Sequence, residues 1–323
     1  MAINAAPYIL KRMETIKEPI KILIVDGDDQ RAIEAAKILE QYPNVEITLL
    51  VEQDLNIGSL EFININKNEA QYKNFCELLF EQRKGKDSMD SIKKALKTRP
   101  FYAMMLLKSG QFDGVVGGLA YSTADILRAA FKVIGPQKGV KTISSLMIMA
   151  KEEKMMVFSD ISINIEPDAL QLVDIANNSA KFMESFKMNV KPAFLSFSTQ
   201  GSATSPQSTK MLEAKERYNQ ENPHRPALGE IQFDAAFSPE ILSKKYKNPE
   251  FNDATNLFIF PDLGAGNIGY KIAQRLGVYD AFGPIITGVA LPVNDLSRGA
   301  KTVDVVNTVF ITAIQAHSLK EGK

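Results

Sequence analysis

The sequence predicts an α/β protein of two domains built on mostly parallel sheets. Three observations carry this. At 323 residues the chain exceeds one typical domain and suggests two. Short apolar runs of strand length alternate with segments whose apolar residues recur at helical spacing, the rhythm of a parallel sheet covered on both faces. Hydrophobic residues at 45% and charged residues at 24% are values of a packed chain, not a disordered one.

Taken in order, residues 20–25 (IKILIV) are the first strand, ended by Asp26-Gly27-Asp28-Asp29. A helix follows over 31–40, with Ile33, Ala36, Ile38 and Leu39 close to helical spacing. Residues 47–51 and 62–65 are two more strands. Residues 68–83 form a helix with Tyr72, Phe75, Cys76, Leu79 and Phe80 on one face. A strand at 112–116 runs toward a helix from about Thr123, and the turn-rich segment 135–139 interrupts the pattern. A second set follows: strands at 144–149 and 155–158, a long helix from Pro167, a strand at 190–197 and a polar loop at 198–208. Strands at 257–260 and 284–290 precede a last helix at 302–317.

Composition excludes several functions. Lys plus Arg and Asp plus Glu are 38 each, so there is no polybasic coat for nucleic acid. One cysteine, Cys76, allows no intrachain disulfide and suits a reducing compartment. With only His224 and His317 beside it, no Cys/His zinc site is expected. The N-terminus lacks an apolar core of signal-peptide length. The uncharged run at 305–319 is broken by Asn307, Thr308, Thr312, Gln315 and His317, which reads as a packed helix, not a membrane span. The expectation is a soluble, cytoplasmic protein.

Three segments can carry chemistry. Residues 260–277 (FPDLGAGNIGYKIAQRLG) hold Gly264-x-Gly266-x-x-Gly269 after a strand and opening a helix, where glycines let backbone approach phosphates. A dinucleotide reading is disfavoured: Pro261-Asp262-Leu263 separates strand from glycine, and the next strand ends Thr287-Gly288-Val289-Ala290 without a carboxylate for a ribose. The plainer reading is a glycine-rich turn; an anion site there would use Gly266 and Asn267. Residues 113–128 (DGVVGGLAYSTADILR) run from a strand through Gly117-Gly118 to Ser122 and Thr123 at a helix opening. Ser122 with Asp125 resembles a capping box, and the two hydroxyls with free N–H groups suit a phosphate, with Arg128 one turn on. Residues 292–304 (PVNDLSRGAKTVD) place Ser297-Arg298-Gly299 before the last helix, with Thr302 as its expected N-cap and Asp304 in its first turn. The plainer readings there are a surface ion pair for Arg298 and dipole compensation for Asp304.

These segments, with ALGEIQFDAAFSPEI at 227–241, closely resemble the phosphate acetyltransferase (phosphotransacetylase) family among the phosphate acetyl/butyryltransferases. The resemblance runs over nearly the whole chain from IKILIVDGDDQRAIEAA onward, and the related butyryltransferases lack the NDLSRG run. It implies an isocitrate/isopropylmalate dehydrogenase-like fold of two α/β/α domains with an interdomain active-site cleft. The first domain would be discontinuous, residues 1–143 with 299–323, and the second 144–298. The implied reaction is acetyl-CoA plus phosphate giving CoA plus acetyl phosphate, by direct attack of the CoA thiolate on the acetyl carbonyl. Coenzyme A is then a substrate, with no redox cofactor and no metal, and the protein a homodimer in contact with neither nucleic acid nor membrane.

Carried over by motif, Ser297 bonds the CoA sulfur or reacting centre, Arg298 steadies the acetyl-phosphate oxygens and Asp304 is the general base. Arg83, Arg128 and Arg275 match family arginines for CoA or phosphate, and Ser122, Thr123, Gly266 and Asn267 join them at the two helix openings. Tyr121 stands where many members have His, and Gly117 where many have Ser. An ordinary thiol titrates near ~8.5 and an ordinary aspartate near ~3.9, so full proton transfer between them costs roughly 6 kcal/mol. The site must offset this by stabilising the thiolate or by burying the base. Rival readings are an acyltransferase for a longer chain (butyryl or propionyl) and a non-catalytic acetyl-CoA-binding module.

Overall fold

A computed structural model describes residues 7–152 and 154–322; residues 1–6, on which the N-terminal reading partly rests, lie outside them. The chain divides into two units, Met1–Lys138 with Val289–Lys323, and Gly139–Gly288.

The first unit opens with α1 (Pro7–Met13), β1 (Ile20–Ile24), α2 (Gln30–Leu39), β2 (Val45–Val51), β3 (Glu61–Asn64) and α3 (Glu69–Arg83). It continues with α4 (Met89–Leu96), α5 (Arg99–Lys108), β4 (Gly114–Gly117) and α6 (Thr123–Val133). The second unit holds β5 (Ser144–Lys151), β6 (Lys154–Ser159), α7 (Ala169–Ser185), β7 (Pro192–Leu195), α8 (Pro206–Glu221) and β8 (Leu228–Ile231). After these come α9 (Phe233–Phe237), α10 (Pro239–Lys245), β9 (Leu257–Ile259), α11 (Leu263–Leu276) and β10 (Asp280–Thr287). The chain then returns to the first unit with β11 (Val293–Asp295) and α12 (Thr302–Glu321).

The first sheet runs β11-β4-β1-β2-β3, and every pairing in it is parallel. Side chains alternate along its strands. Leu23, Val25, Leu50, Val115 and Val293 point into a core shared with α3, α4, α5 and α6. Ile22 faces the other way, beside Thr312 of α12. Helix α5 is buried almost all round, with Tyr102 to Leu107 each within the core, so it carries no polar stripe.

The second sheet runs β10-β5-β6-β9-β7-β8. Its β6, β9, β7 and β8 are mutually parallel. Its other flank is not: β5 pairs antiparallel with both β6 and β10. The connection from Lys151 to Lys154 is far too short for a crossover, so β6 folds straight back on β5. In this unit's core Phe158 meets Phe258 edge-on and Phe260 at a tilt.

Two expectations are corrected. The chain re-enters the first unit at Val289, ten residues before the boundary at 299 read from the sequence, because β11 pairs with β4 and so belongs to the first sheet. The exit from the first unit likewise follows Lys138, before 143. Among the described residues no helix is long and apolar enough to cross a membrane.

Close packing of the first sheet on α12 depends on Gly114. A Cβ there would lie 2.5 Å from Thr312 Cγ2 and 2.9 Å from Ile22 Cδ1. Gly114→Ala should therefore destabilise the protein by roughly 1–3 kcal/mol through overpacking, read as a lowered urea midpoint. An unchanged midpoint would show that α12 gives way there without strain.

Candidate active site

Strands β11, β4 and β1 are adjacent and parallel, so their carboxyl ends open on one edge of the first sheet. Three loops leave that edge. Each is held by a charged side chain, Asp26 buried and Arg31 half-buried. Asp26, fully buried just past β1, accepts from the backbone N–H groups of Gly118 (2.8 Å), Leu119 (3.1 Å) and Ala120 (3.0 Å). This fixes the loop after β4 against the loop after β1.

Arg31 ties in the third loop. Its guanidinium donates to the carbonyls of Arg298 and Ala300, each at 2.8 Å, and to Leu119 O at 3.3 Å. The same group forms a two-pronged bond with Asp29, the N-cap of α2, and so holds that carboxyl below the usual carboxylate range. Pairing of β11 with β4 is extended by Leu296 N–H donating to Gly117 O at 2.6 Å. Beyond it Ser297, Arg298 and Gly299 are exposed, with Gly299 N–H donating to Ser297 Oγ at 3.2 Å.

Helix α6 opens from the middle loop. Ser122 is its N-cap, and the capping box with Asp125 read from the sequence is formed. Asp125 also takes Arg128 at 3.0 Å, and these contacts hold its carboxyl below the usual range. Arg83 sits at the end of α3, where its Nε donates to Asp87 at 2.5 Å; Asp87 also takes Lys132 of α6 at 2.8 Å. Lys132 follows Arg128 by one turn, so Arg83 and Arg128 belong to one side of α6. Thr123 Oγ1 donates to Asp295 Oδ2 at 2.5 Å, linking the head of α6 to the end of β11.

Helix α12 opens from the last loop. Its N-cap is Lys301, not Thr302 as the sequence suggests, because Glu34 of α2 takes the Thr302 hydroxyl at 3.0 Å. Asp304 lies in the first turn and accepts from Lys301 N–H at 2.7 Å. Of the residues singled out in the sequence, Ser122, Thr123, Ser297, Arg298 and Asp304 thus gather on this edge, with Arg128 one turn into α6.

Arg275, Gly266 and Asn267 lie in the second unit, all on α11. Arg275 is exposed in the last turn. The glycines there answer to packing. A Cβ on Gly266 would lie 2.1 Å from the carbonyl oxygen of Asp160, and one on Gly269 would lie 2.9 Å from the Phe260 ring. Asn267 Nδ2 donates to Ile161 O at 3.1 Å. The loop at 198–208 is equally anchored: buried Glu230 accepts from Ser198 Oγ (2.9 Å) and Gly201 N–H (2.7 Å).

Four residues escape a reading of motifs: Asp26, Arg31, Arg99 and Asp295. Arg99, almost fully buried, bonds Asp28 and lies over the Tyr121 ring at 5.3 Å, with Tyr121 Oη at 3.3 Å. Tyr121, just before the Ser-Thr opening, is thereby tied to α5. Asp295 is 2% exposed, and burial together with the nearby charge of Asp26 pushes its carboxyl up to about 7, the Thr123 hydroxyl and the Leu296 N–H pulling the other way.

Residues 6–313 match the family described as phosphate acetyl/butaryl transferase. A phosphate acetyltransferase of Bacillus subtilis is 40% identical over 307 residues, 92% of this chain and 95% of that protein. Among solved structures, the EutD phosphotransacetylase of Staphylococcus aureus superposes with a TM-score of 0.89 at 38% identity, covering 97% of this chain and 99% of that one. A phosphotransacetylase from Streptococcus pyogenes gives the same TM-score and identity over 98% and 99%.

Asp295 makes stability depend on pH. Its carboxyl titrates at about 7 folded and at 3.8 in the ordinary state, so between these values the folded form holds a proton that the unfolded form has lost. Stability from this group therefore falls as pH rises from about 4 to about 7. Asp295→Asn removes that slope. The melting temperature of the variant relative to wild type should climb between pH 5 and pH 8; parallel curves would place the titration outside this range.

Proposed function

The chain belongs to the phosphate acetyl/butaryl transferase family, and from that premise we propose that it is a phosphate acetyltransferase, interconverting acetyl-CoA plus phosphate with CoA plus acetyl phosphate. One observation carries the reading beyond likeness. The edge of the first sheet presents a Ser/Thr helix opening, an exposed Ser-Arg turn and a first-turn carboxylate, each tied to neighbouring elements by hydrogen bonds.

The chemistry follows from those groups. The hydroxyls of Ser122 and Thr123 and the N-terminal dipole of α6 favour an anion. Arg128 and Arg83 on one side of α6, and Arg275 in the second unit, bind phosphate groups of CoA or the phosphate substrate. The head of α11, where Gly266 and Asn267 stand, adds a second helix N-terminus for a phosphate. Asp304 takes the thiol proton of CoA, Ser297 bonds the sulfur, and Arg298 stabilises the oxyanion as thiolate attacks the acetyl carbonyl and phosphate leaves. No redox cofactor or metal enters this scheme. A longer acyl chain is the second reading, since the family spans acetyl and butyryl transfer. The single assay is CoA-dependent formation of acetyl-CoA from acetyl phosphate, followed by thioester absorbance, with butyryl phosphate and NAD in parallel.

The assembly proposed is a homodimer in the cytoplasm. Helix α11 exposes Ile268, Ile272 and Leu276 at four-residue spacing, with Leu276 at 81%. Beside it a cavity of about 490 Å³ is lined by Phe233, Phe237, Phe260 and Ile272. Such an apolar face suits a second copy of the chain. Light scattering should give twice the 35.8 kDa chain mass, and Ile272→Glu should halve it.

Two kinetic outcomes test the residue roles. Asp304→Asn keeps shape but cannot accept a proton, so the turnover number should fall by roughly 10²–10⁴ with the CoA KM little changed. A capping role alone predicts a slightly lower melting temperature and intact turnover. Arg128→Ala and Arg275→Ala should each weaken CoA or acetyl phosphate binding by roughly 1.5–3 kcal/mol, as expected for a lost charge-assisted contact. Wild-type Michaelis constants for both substrates would sink that assignment.

A further inference from the structure

Asp295 stands two residues before Ser297 in the run Asn294-Asp295-Leu296-Ser297, yet its side chain turns inward. Oδ2 accepts the Thr123 hydroxyl at the head of α6. Oδ1 is buried without a hydrogen-bond partner. It borders the space that Gly118 leaves free: a Cβ there would meet Asp295 Oδ1 and Leu296 O, each at 2.4 Å. Two acceptor oxygens thus flank one small gap beside backbone that Asp26 already holds.

We propose that Asp295 is a positioning residue for acyl transfer, its carboxyl tying Thr123 at the start of α6 to the turn that carries Ser297 and Arg298. This rests on the reading of that turn as catalytic. Covalent continuity supplies the lever. Leu296 pairs with Gly117, so a shift of Asp295 moves the base of the Ser297–Arg298 turn, while Arg31 holds its far side at Arg298 O and Ala300 O.

The neutral carboxyl is the form that suits this place. A proton on Oδ1 gives the unpartnered oxygen a hydrogen to donate, while Oδ2 still accepts from Thr123. An ionised Asp295 would set a buried negative charge beneath the helix end proposed to receive an anion, where poor screening makes it felt. The groups facing it are few. Asp26 from the end of β1 is the like charge that acts on it, while the Thr123 hydroxyl and the adjoining Leu296 N–H favour the ionised form. Helix α6 brings Asp125 and Arg128, paired with each other, and α12 brings Asp304, bonded to Lys301 N–H. Strand β4 contributes backbone only, through Gly117 and Gly118.

The test measures kcat and the acetyl phosphate KM for wild type, Asp295→Asn, Asp295→Ala and Thr123→Val from about pH 5.5 to 9, with Arg298→Ala alongside. Asn mimics the neutral acid. Asp295→Asn should match wild type near pH 6, and above pH 7 the wild-type KM should rise at least about threefold relative to it. Taking the ratio cancels the titration of acetyl phosphate itself. Asp295→Ala should lose about tenfold or more in kcat with its circular dichroism unchanged, and Thr123→Val should lose in the same direction. A merely structural role moves melting temperature but not the pH dependence of this ratio. If Asp295→Ala does not fold, Asp295→Asn and Thr123→Val decide. A pH-independent ratio together with wild-type kcat in the folded variants, Arg298→Ala being impaired, overturns the proposal alone. Full activity in Arg298→Ala overturns the catalytic reading of the turn and the proposal with it.

Discussion

A carboxylate removed from water must be matched by donors, and in this protein that requirement is turned into architecture. Asp26 has no exposure, so its oxygens take three successive backbone N–H groups of the loop after β4. Once that loop is held, Ser122 and Thr123 start α6 where they do, and Asp295 finds its hydroxyl partner. Removing Asp26 would leave three N–H groups unpaired at once, each a loss of about 1–3 kcal/mol. The same device recurs in the second unit. Asp160 accepts from Ser162, Ile163 and Asn164 N–H groups, and Glu230 gathers Ser198 and Gly201. Loops that carry polar, small side chains are thereby kept in one conformation by acids beneath them.

The order of these dependencies explains why the exposed turn at 297–299 holds a shape. It has little packing of its own. Arg31 bonds its carbonyls from outside, Leu296 pairs with β4 from within, and Gly299 N–H closes on Ser297 Oγ. Ser297 and Arg298 are free to face solvent because the backbone beneath them is fixed by other residues. Most of the support for the turn thus comes from residues outside it, and its side chains carry little of the fold.

Legibility in the sequence follows the range of the interaction. Strands and amphipathic helices depend on neighbours a few residues away, and so does the capping box of Ser122 and Asp125, which forms as its spacing suggests. Helices α4 and α5 escaped: α5 is buried on every side, so no apolar stripe marks it. The cap of α12 misled because Thr302 has the right side chain but is claimed by Glu34, distant in sequence. Glycines 266 and 269 look like a phosphate fingerprint, yet both also answer to close contacts with Asp160 and Phe260 that no spacing reveals. Asp26, Arg31 and Asp295 act across 92, 267 and 172 positions of chain respectively. A motif shows none of that. Likeness to a family singles out Ser297, Arg298 and Asp304 as candidates, but not Asp26, Arg31 and Asp295, which hold the loops around them.

The return of Val289–Lys323 to the first unit bears on how the chain is made. During synthesis the segment Gly139–Gly288 leaves the ribosome whole and can fold at once. The first unit cannot: β11 is missing from its sheet edge, and α12 from the face over Ile22 and Gly114. At roughly 5–20 residues per second, the apolar surface of β1 and β4 waits on the order of ten seconds or more for its cover. Nascent chains are therefore exposed to aggregation through the N-terminal portion, not the middle one. Truncations before α12 should burden chaperones in the same way, even though the second unit within them is complete.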